Sequence, residues 1–227
     1  GRFLDLVEEV LAKVPRRKAY YPGARERFTR FTGRPAPTDG DALPWTLMRD
    51  ADPQVAPQLF CEESFVCVCA EIGLDAADDR DFLKQAVAFC NERLWGTLSA
   101  AVTVHPSFRR APAGEESLNA ALRELRHGAV GVNHWPALVY AMMSPPWGGY
   151  PIGTLADAQS GIGSVHNTFL LEGVQKTILE GPLAIWPKPF WFPTHRNPEP
   201  IAWKVLSLYH RPSGWKLPGL MLAALRG

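Results

Sequence analysis

The hydrophobic positions alternate between helical and extended period from Asp78 to Asn133, and this stretch organises the rest of the chain. Asp78 is placed to cap a helix in which Phe82, Leu83, Ala86, Phe89 and Cys90 share one face. Leu98 to Val104 reads as a buried strand. Gly114 to Leu125 reads as a second helix with Leu118, Ala121, Leu122 and Leu125 on one stripe, and Gly128 to Val132 as a strand that delivers Asn133 to its end. Helix, strand, helix and strand in such close order predict an α/β fold, a layered and mostly parallel sheet with helical crossovers.

The pattern is plainer elsewhere. Phe3, Leu6, Val7, Val10 and Val14 predict a helix from Phe3 to Val14, stopped by Pro15; apolar from its first turn, it is expected of a piece of a longer chain. A further helix is predicted over Ala24 to Phe31, with Phe28 and Phe31 on one side, and Arg34 to Leu43 reads as a surface loop. Trp45 to Met48 predicts a short strand. Phe65 to Ala70 predicts an almost wholly apolar strand entered through Glu62 and Glu63, while Thr168 to Leu171 reads as ordered and Val174 to Ile178 as another strand.

Between these elements Pro145 to Gly149 reads PPWGG. Pro145 forbids a continuous helix, Gly148 and Gly149 permit close backbone approaches, and Trp147 supplies a rigid apolar surface. A folded-back loop lining a cleft and a simple packing loop both satisfy this composition. From Pro182 to Pro218 four tryptophans, Trp186, Trp191, Trp203 and Trp215, are interleaved with prolines, and an apolar segment from Leu217 to Leu225 follows. The expected organisation is an α/β unit over residues 1–178 and a Pro/Trp-rich extension over 179–227 that packs as an arm.

Charge and cysteine usage narrow the function classes. Lys plus Arg number 24 against 23 Asp plus Glu, a net charge of +1, so no bulk field directs the whole chain to nucleic acid or an anionic membrane. No apolar run approaches the roughly 20 residues that span a bilayer, and the start lacks a signal-peptide layout, so a cytoplasmic protein without a membrane span is expected. Cys61, Cys67, Cys69 and Cys90 sit among apolar residues, where reduced, buried thiols are expected, and their spacing offers no zinc site.

None of these cysteines adjoins a histidine or a basic cluster, so none is expected to be a nucleophile. The glycines Gly161 and Gly163 lack the Lys and Ser or Thr of a phosphate loop, and Gly-x-Ser-x-Gly is absent, which argues against an α/β hydrolase. Glu62 and Glu63 admit two readings: a solvated strand entrance, or a carboxylate that holds a sugar hydroxyl or a cation.

Taken in order, four segments resemble the downstream half of an aldehyde dehydrogenase: Glu63-Ser64-Phe65, Ala88-Phe89-Cys90-Asn91 with Leu94 to Ala100, Leu125-Arg126-His127-Gly128-Ala129-Val130-Gly131-Val132-Asn133, and Pro146-Trp147-Gly148-Gly149. Val174 to Ile178 resembles the strand after the late cleft loop of that family, so the likeness runs from about Phe3 to Ile178. It implies most of a catalytic domain plus an oligomerisation arm, part of an enzyme that oxidises an aldehyde to a carboxylic acid with NAD or NADP through a cysteine thiohemiacetal and acyl-enzyme. The nucleophilic cysteine and the N-terminal dinucleotide domain are then expected upstream of Gly1, and the 227 residues alone are expected to be inactive and to bind no cofactor tightly.

By the same likeness Glu63 matches the glutamate that binds the nicotinamide ribose and Phe65 the aromatic near the nicotinamide, while Asn133 and Trp147 belong to the substrate pocket, Asn133 as part of its wall. A homo-oligomer is implied. Val66-Cys67 stands where the family has Gly-Pro, the stretch from Asn133 to Gly149 is rich in large apolar groups, and the tail is unlike the family's usual short end. The last two departures fit an atypical member with a bulky hydrophobic substrate or an inactive relative, and the alternative to the enzyme reading is a catalytically inactive remnant or an interaction protein.

Overall fold

A computed structural model of the chain describes residues 1–192 and 195–226. Pro193, Thr194 and Gly227, which fall in the expected C-terminal extension, lie outside the described residues. The chain divides into two compact units, Gly1–Gly181 and Pro182–Gly227.

The first unit opens with α1 (Arg2–Lys13), β1 (Arg17–Lys18), α2 (Ala24–Thr32), β2 (Ala42–Leu43), β3 (Thr46–Met48), α3 (Gln58–Cys61) and β4 (Val68–Ala70). It continues through α4 (Asp79–Arg93), β5 (Ser99–Val102), α5 (Pro106–Arg110), α6 (Gly114–Glu124), β6 (Ala129–Val132), α7 (Leu138–Met142), β7 (Trp147–Gly148), β8 (Ser164–Val165) and β9 (Thr177–Glu180). The architecture is mixed α/β with small parallel sheets. β5, β6 and β9 form a three-stranded parallel sheet in that order, and β3 pairs with β4 in parallel. β1 with β2 and β7 with β8 are antiparallel pairs.

Local chemistry explains the central unit. The Asp78 carboxylate accepts from the backbone N–H groups of Arg80 and Asp81, both at 2.9 Å, closing the orphan donors of α4. Leu118, Leu122, Leu125, Val87, Val130 and Val132 then form one buried cluster that joins α4 and α6 to the sheet. Withdrawing each such side chain from water stabilises the fold by roughly 1.5–3 kcal/mol. All four residues of β6 are buried, as a parallel strand covered on both faces requires. At Gly131 an added Cβ would overlap the His134 carbonyl, so the turn after β6 folds back over the strand.

Several expected elements are corrected. The strand expected over Phe65 to Ala70 is confined to Val68–Ala70, because Phe65 adopts a φ of 51°, outside the extended region a ladder needs. Glu62 therefore follows α3 as its extended C-cap, and Glu63 lies in the irregular segment before β4. The strand expected over Val174 to Ile178 is displaced to Thr177–Glu180, because Lys176 is drawn towards the end of α6, and Thr168 to Leu171 holds turns without a regular element. α1 forms at its expected place yet buries none of its side chains. The cysteines are less buried than expected: all four are free, Cys61 at the end of α3 and Cys69 in the two-stranded β3–β4 sheet are exposed, and Cys67 and Cys90 are half-buried.

The second unit contains α8 (Pro198–His210), a 3-10 turn over Gly214–Lys216, and α9 (Leu217–Leu225). The prolines do not prevent these helices because Pro198 and Pro218 stand in first turns, where no intrahelical N–H is required. α8 packs on α9 with Ile201 and Ala223 buried, and the Lys216 ammonium donates to the Ser207 and Arg211 carbonyls at 2.7 and 2.8 Å, closing the C-terminal end of α8.

Candidate functional site

Glu63 and Phe65 line one cleft of about 290 Å³, together with Arg17, Tyr20, Tyr21 and Cys67. One wall is the β1–β2 ribbon, extended by a 2.7 Å bond from Ala19 N–H to the Asp41 carbonyl. The facing wall is the turn from Glu63 to Val66. Beneath it, Ala24 and Phe28 of α2 pack with Leu43, Val66 and Val68, so the helix seats both walls on one apolar floor.

Arg27 pins the turn. Its Nε donates to the Ser64 carbonyl at 3.1 Å, its NH1 donates to the Pro22 carbonyl at 2.8 Å, and its guanidinium lies 6.0 Å from the Phe65 ring centroid. Ser64 Oγ donates to the Val66 carbonyl at 3.1 Å. The Phe65 ring, half exposed, meets Tyr21 edge-on at 5.5 Å. An aromatic wall with open face results.

The two glutamates differ sharply. Glu62 forms a fork with Arg30 at 3.0 and 2.7 Å, which holds its carboxyl below the usual carboxylate range. Glu63 makes no hydrogen bond or ion pair among the described residues. Its charge is felt at Tyr21, whose hydroxyl is raised chiefly by its hydrogen bond and charge interaction with Tyr20, then by desolvation and Glu63. A carboxylate with unfilled acceptor sites beside exposed rings can receive sugar hydroxyls while an apolar plane rests on Phe65.

Asn133 is engaged elsewhere. Held at φ 56°, its side chain accepts from Val104 N–H at 2.7 Å and donates to the Val104 carbonyl at 3.1 Å. This clamp ties β6 to the chain leaving β5 at the carboxyl ends of the strands. Trp147 lies towards the amino end of the sheet: Gly148 abuts Gly128 so closely that a Cβ on Gly128 would overlap the Gly148 carbonyl, and Tyr150 N–H donates to Thr97 at 3.0 Å. The Trp147 ring stacks edge-on to Tyr140 at 5.8 Å, and Tyr140 lies 4.9 Å from the His166 ring. Asn133 and Trp147 thus flank opposite ends of β6, and neither lines the Glu63 cleft.

Burial raises the thiols of Cys67, Cys69 and Cys90, with Arg17 partly opposing the shift at Cys67. Cys69 shows this effect although the residue as a whole is exposed. A raised thiol is the opposite of an activated nucleophile. Cys90 and His105 line a common apolar cavity of about 390 Å³ between α4 and β5, a juxtaposition the sequence did not reveal. His105 Nδ1, however, lies 2.6 Å from Ser107 Oγ and accepts from Ser107 N–H, so the ring caps α5.

Sequence reasoning also missed Tyr20, Tyr21 and Arg17 as walls of the cleft. An aromatic pair after a basic run was the available signal, but its link to residues 63–67 comes from the packing of α2 and has no local signature. Compared with protein-family models and with the curated proteins, the chain matches none.

Proposed function

We propose that this chain is the downstream part of an NAD- or NADP-dependent aldehyde dehydrogenase, with the cysteine nucleophile and the dinucleotide domain supplied by residues outside these 227. The observation that carries the reading is the unengaged Glu63 carboxylate beside the half-exposed Phe65 ring in one cleft. These two residues fit the ribose and nicotinamide of the cofactor: Glu63 receives ribose hydroxyls and Phe65 offers a face to the ring. NAD or NADP would supply the hydride acceptor. Arg27 and Ser64 act as positioning residues because they fix the turn that presents both groups.

The substrate on this reading is an aldehyde with a bulky hydrophobic body, the product is the carboxylic acid, and the complete enzyme is a cytoplasmic homo-oligomer. On this reading Asn133 supports a pocket wall indirectly by holding the carboxyl ends of β5 and β6, while Trp147 offers its apolar surface at the opposite end of β6, so the two do not line one pocket. A second reading, an inactive relative that serves as an interaction protein, is favoured by one observation: the many exposed apolar side chains of residues 182–226.

Turnover of an aldehyde panel with NAD and NADP, measured on the complete reading frame, separates the two. The enzyme reading expects cofactor reduction, and Glu63→Gln should slow hydride transfer about tenfold, since a neutral amide replaces a charge-assisted acceptor. Absence of turnover with every aldehyde would leave the interaction reading. Unchanged transfer rate and cofactor affinity in Glu63→Gln would remove this residue from the site.

A further inference from the structure

Charge is divided unevenly between the two units. Residues 182–227 carry six Lys and Arg against the single side-chain carboxylate Glu199, a net of +5, whereas residues 1–181 carry 18 against 22, a net of −4. The whole-chain value of +1 conceals a basic tail.

The tail also holds four of the eight tryptophans, and Trp203 and Trp215 are 64% and 93% exposed. Its helices turn one side inward through Ile201 and Ala223 and leave apolar side chains outside. On α8 these are Trp203, Leu206 and Tyr209. On α9 they include Met221, Leu222 and Leu225, with no charged residue from Leu217 to Leu225 and cations at Lys216 and Arg226 on either side. Among the described residues no helix is long and apolar enough to cross a membrane. Short helices with an outward apolar face, flanking cations and exposed indole rings have the chemistry of segments that lie in the plane of a lipid interface.

We propose that Pro182–Gly227 docks on an anionic lipid surface, with α9 and the outer side of α8 at the headgroup boundary and the tail's cations facing acidic headgroups. A second copy of the chain could cover the same apolar area, but it answers the charge poorly. Tail against tail opposes two basic surfaces. Tail against the first unit meets a thin acidic excess, because Asp5, Glu8, Asp39, Asp41, Glu62 and Asp78, among others, are already paired with cations of that unit. An acidic bilayer offers continuous negative charge, and each cation near it strengthens binding about fivefold.

The test is co-sedimentation of the full 227-residue chain with vesicles of phosphatidylcholine alone and of phosphatidylcholine mixed with phosphatidylserine. Binding to the mixed vesicles only, weakening as salt rises and accompanied by a blue shift of tryptophan emission, is expected. Lys204→Gln with Arg211→Gln removes two exposed cations and should weaken binding about 25-fold at unchanged helix content. Leu222→Ser should weaken it further through the apolar face; if that variant unfolds, the charge pair still decides. Equal binding to both vesicle types, binding to neither, or unchanged binding of the charge variant would overturn the proposal. A dimer with shielded tryptophans that ignores vesicles would assign this face to a second copy.

Discussion

Around the parallel sheet, Asn133 and Lys176 complete the backbone, whereas at the Glu63 cleft a carboxylate remains unengaged. Asn133 closes two bonds on Val104, and the Lys176 ammonium donates to the carbonyls of Leu122, Arg123 and Leu125 at the end of α6. Beside the cleft Glu62 is bound by Arg30, while its neighbour Glu63, which lines the cleft, has acceptor sites to spare. The difference separates architecture from recognition. A buried backbone group left without a partner destabilises the fold, so nearby side chains are drawn into service, while a solvated turn can leave a carboxylate open to a ligand.

The contrast is sharpest where backbones touch. Gly128→Ala should be the most disruptive change, because its Cβ would strike the Gly148 carbonyl and neither backbone can yield cheaply. A loss of about 3 kcal/mol is expected by urea unfolding. A loss below about 0.5 kcal/mol would show that the Trp147 to Gly149 loop is not seated on the sheet.

Asn133 divides into two contributions. Asn133→Ala removes the clamp and places an alanine at positive φ, for an expected loss of about 2 kcal/mol, whereas Asn133→Gly relieves the backbone cost and should recover roughly 1 kcal/mol of it. Thermal or urea unfolding of the pair measures this. Equal losses would show that the amide alone matters.

His127 gives the sheet a pH dependence of its own. Buried, with Nδ1 unpartnered, its imidazole is lowered below the ordinary histidine value of 6.5, first by desolvation and then by the charge of Lys176. As the pH falls from 6.5 towards the folded-state value, the unfolded chain binds the proton more readily than the folded one. The stability present above 6.5 is therefore progressively lost on acidification. His127→Gln, which does not titrate, should flatten this slope in unfolding curves collected from pH 7 down to pH 5. An identical slope in the variant would place the titration elsewhere.

The smallest expected change in stability belongs to Glu63. Glu63→Gln should move unfolding by less than about 0.5 kcal/mol because no partner is lost, even though the proposed cofactor contact is weakened. A larger loss would mean that Glu63 holds the turn, and the contrast between cleft and sheet would collapse.

Legibility followed the range of the forces. Asp78 before a helical stripe, the Leu118 to Leu125 face and the apolar run into Asn133 are local signals, and the corresponding elements are α4, α6 and β6. The tail helices were harder to see because proline density masked the distinction between first-turn and interior prolines. Phe65 is hard to place for a similar reason: five apolar neighbours resemble a strand, but Arg27, far upstream, fixes the preceding residue at the Ser64 carbonyl. Glu63 and Phe65 could be chosen as site residues from their motif, but Tyr20, Tyr21 and Arg17 could not be joined to them from spacing.

By itself, then, the sequence determined the helix caps, the apolar stripes, the buried strand and the basic balance of residues 182–227, since each depends on residues close together or on composition alone. Tertiary structure decided which glutamate is paired, which rings face Glu63, that Asn133 clamps Val104, and that Gly128 lies against Gly148. Those outcomes depend on close packing between segments tens of residues apart, where ångström-scale approach determines whether a polar group is engaged or left open to solvent.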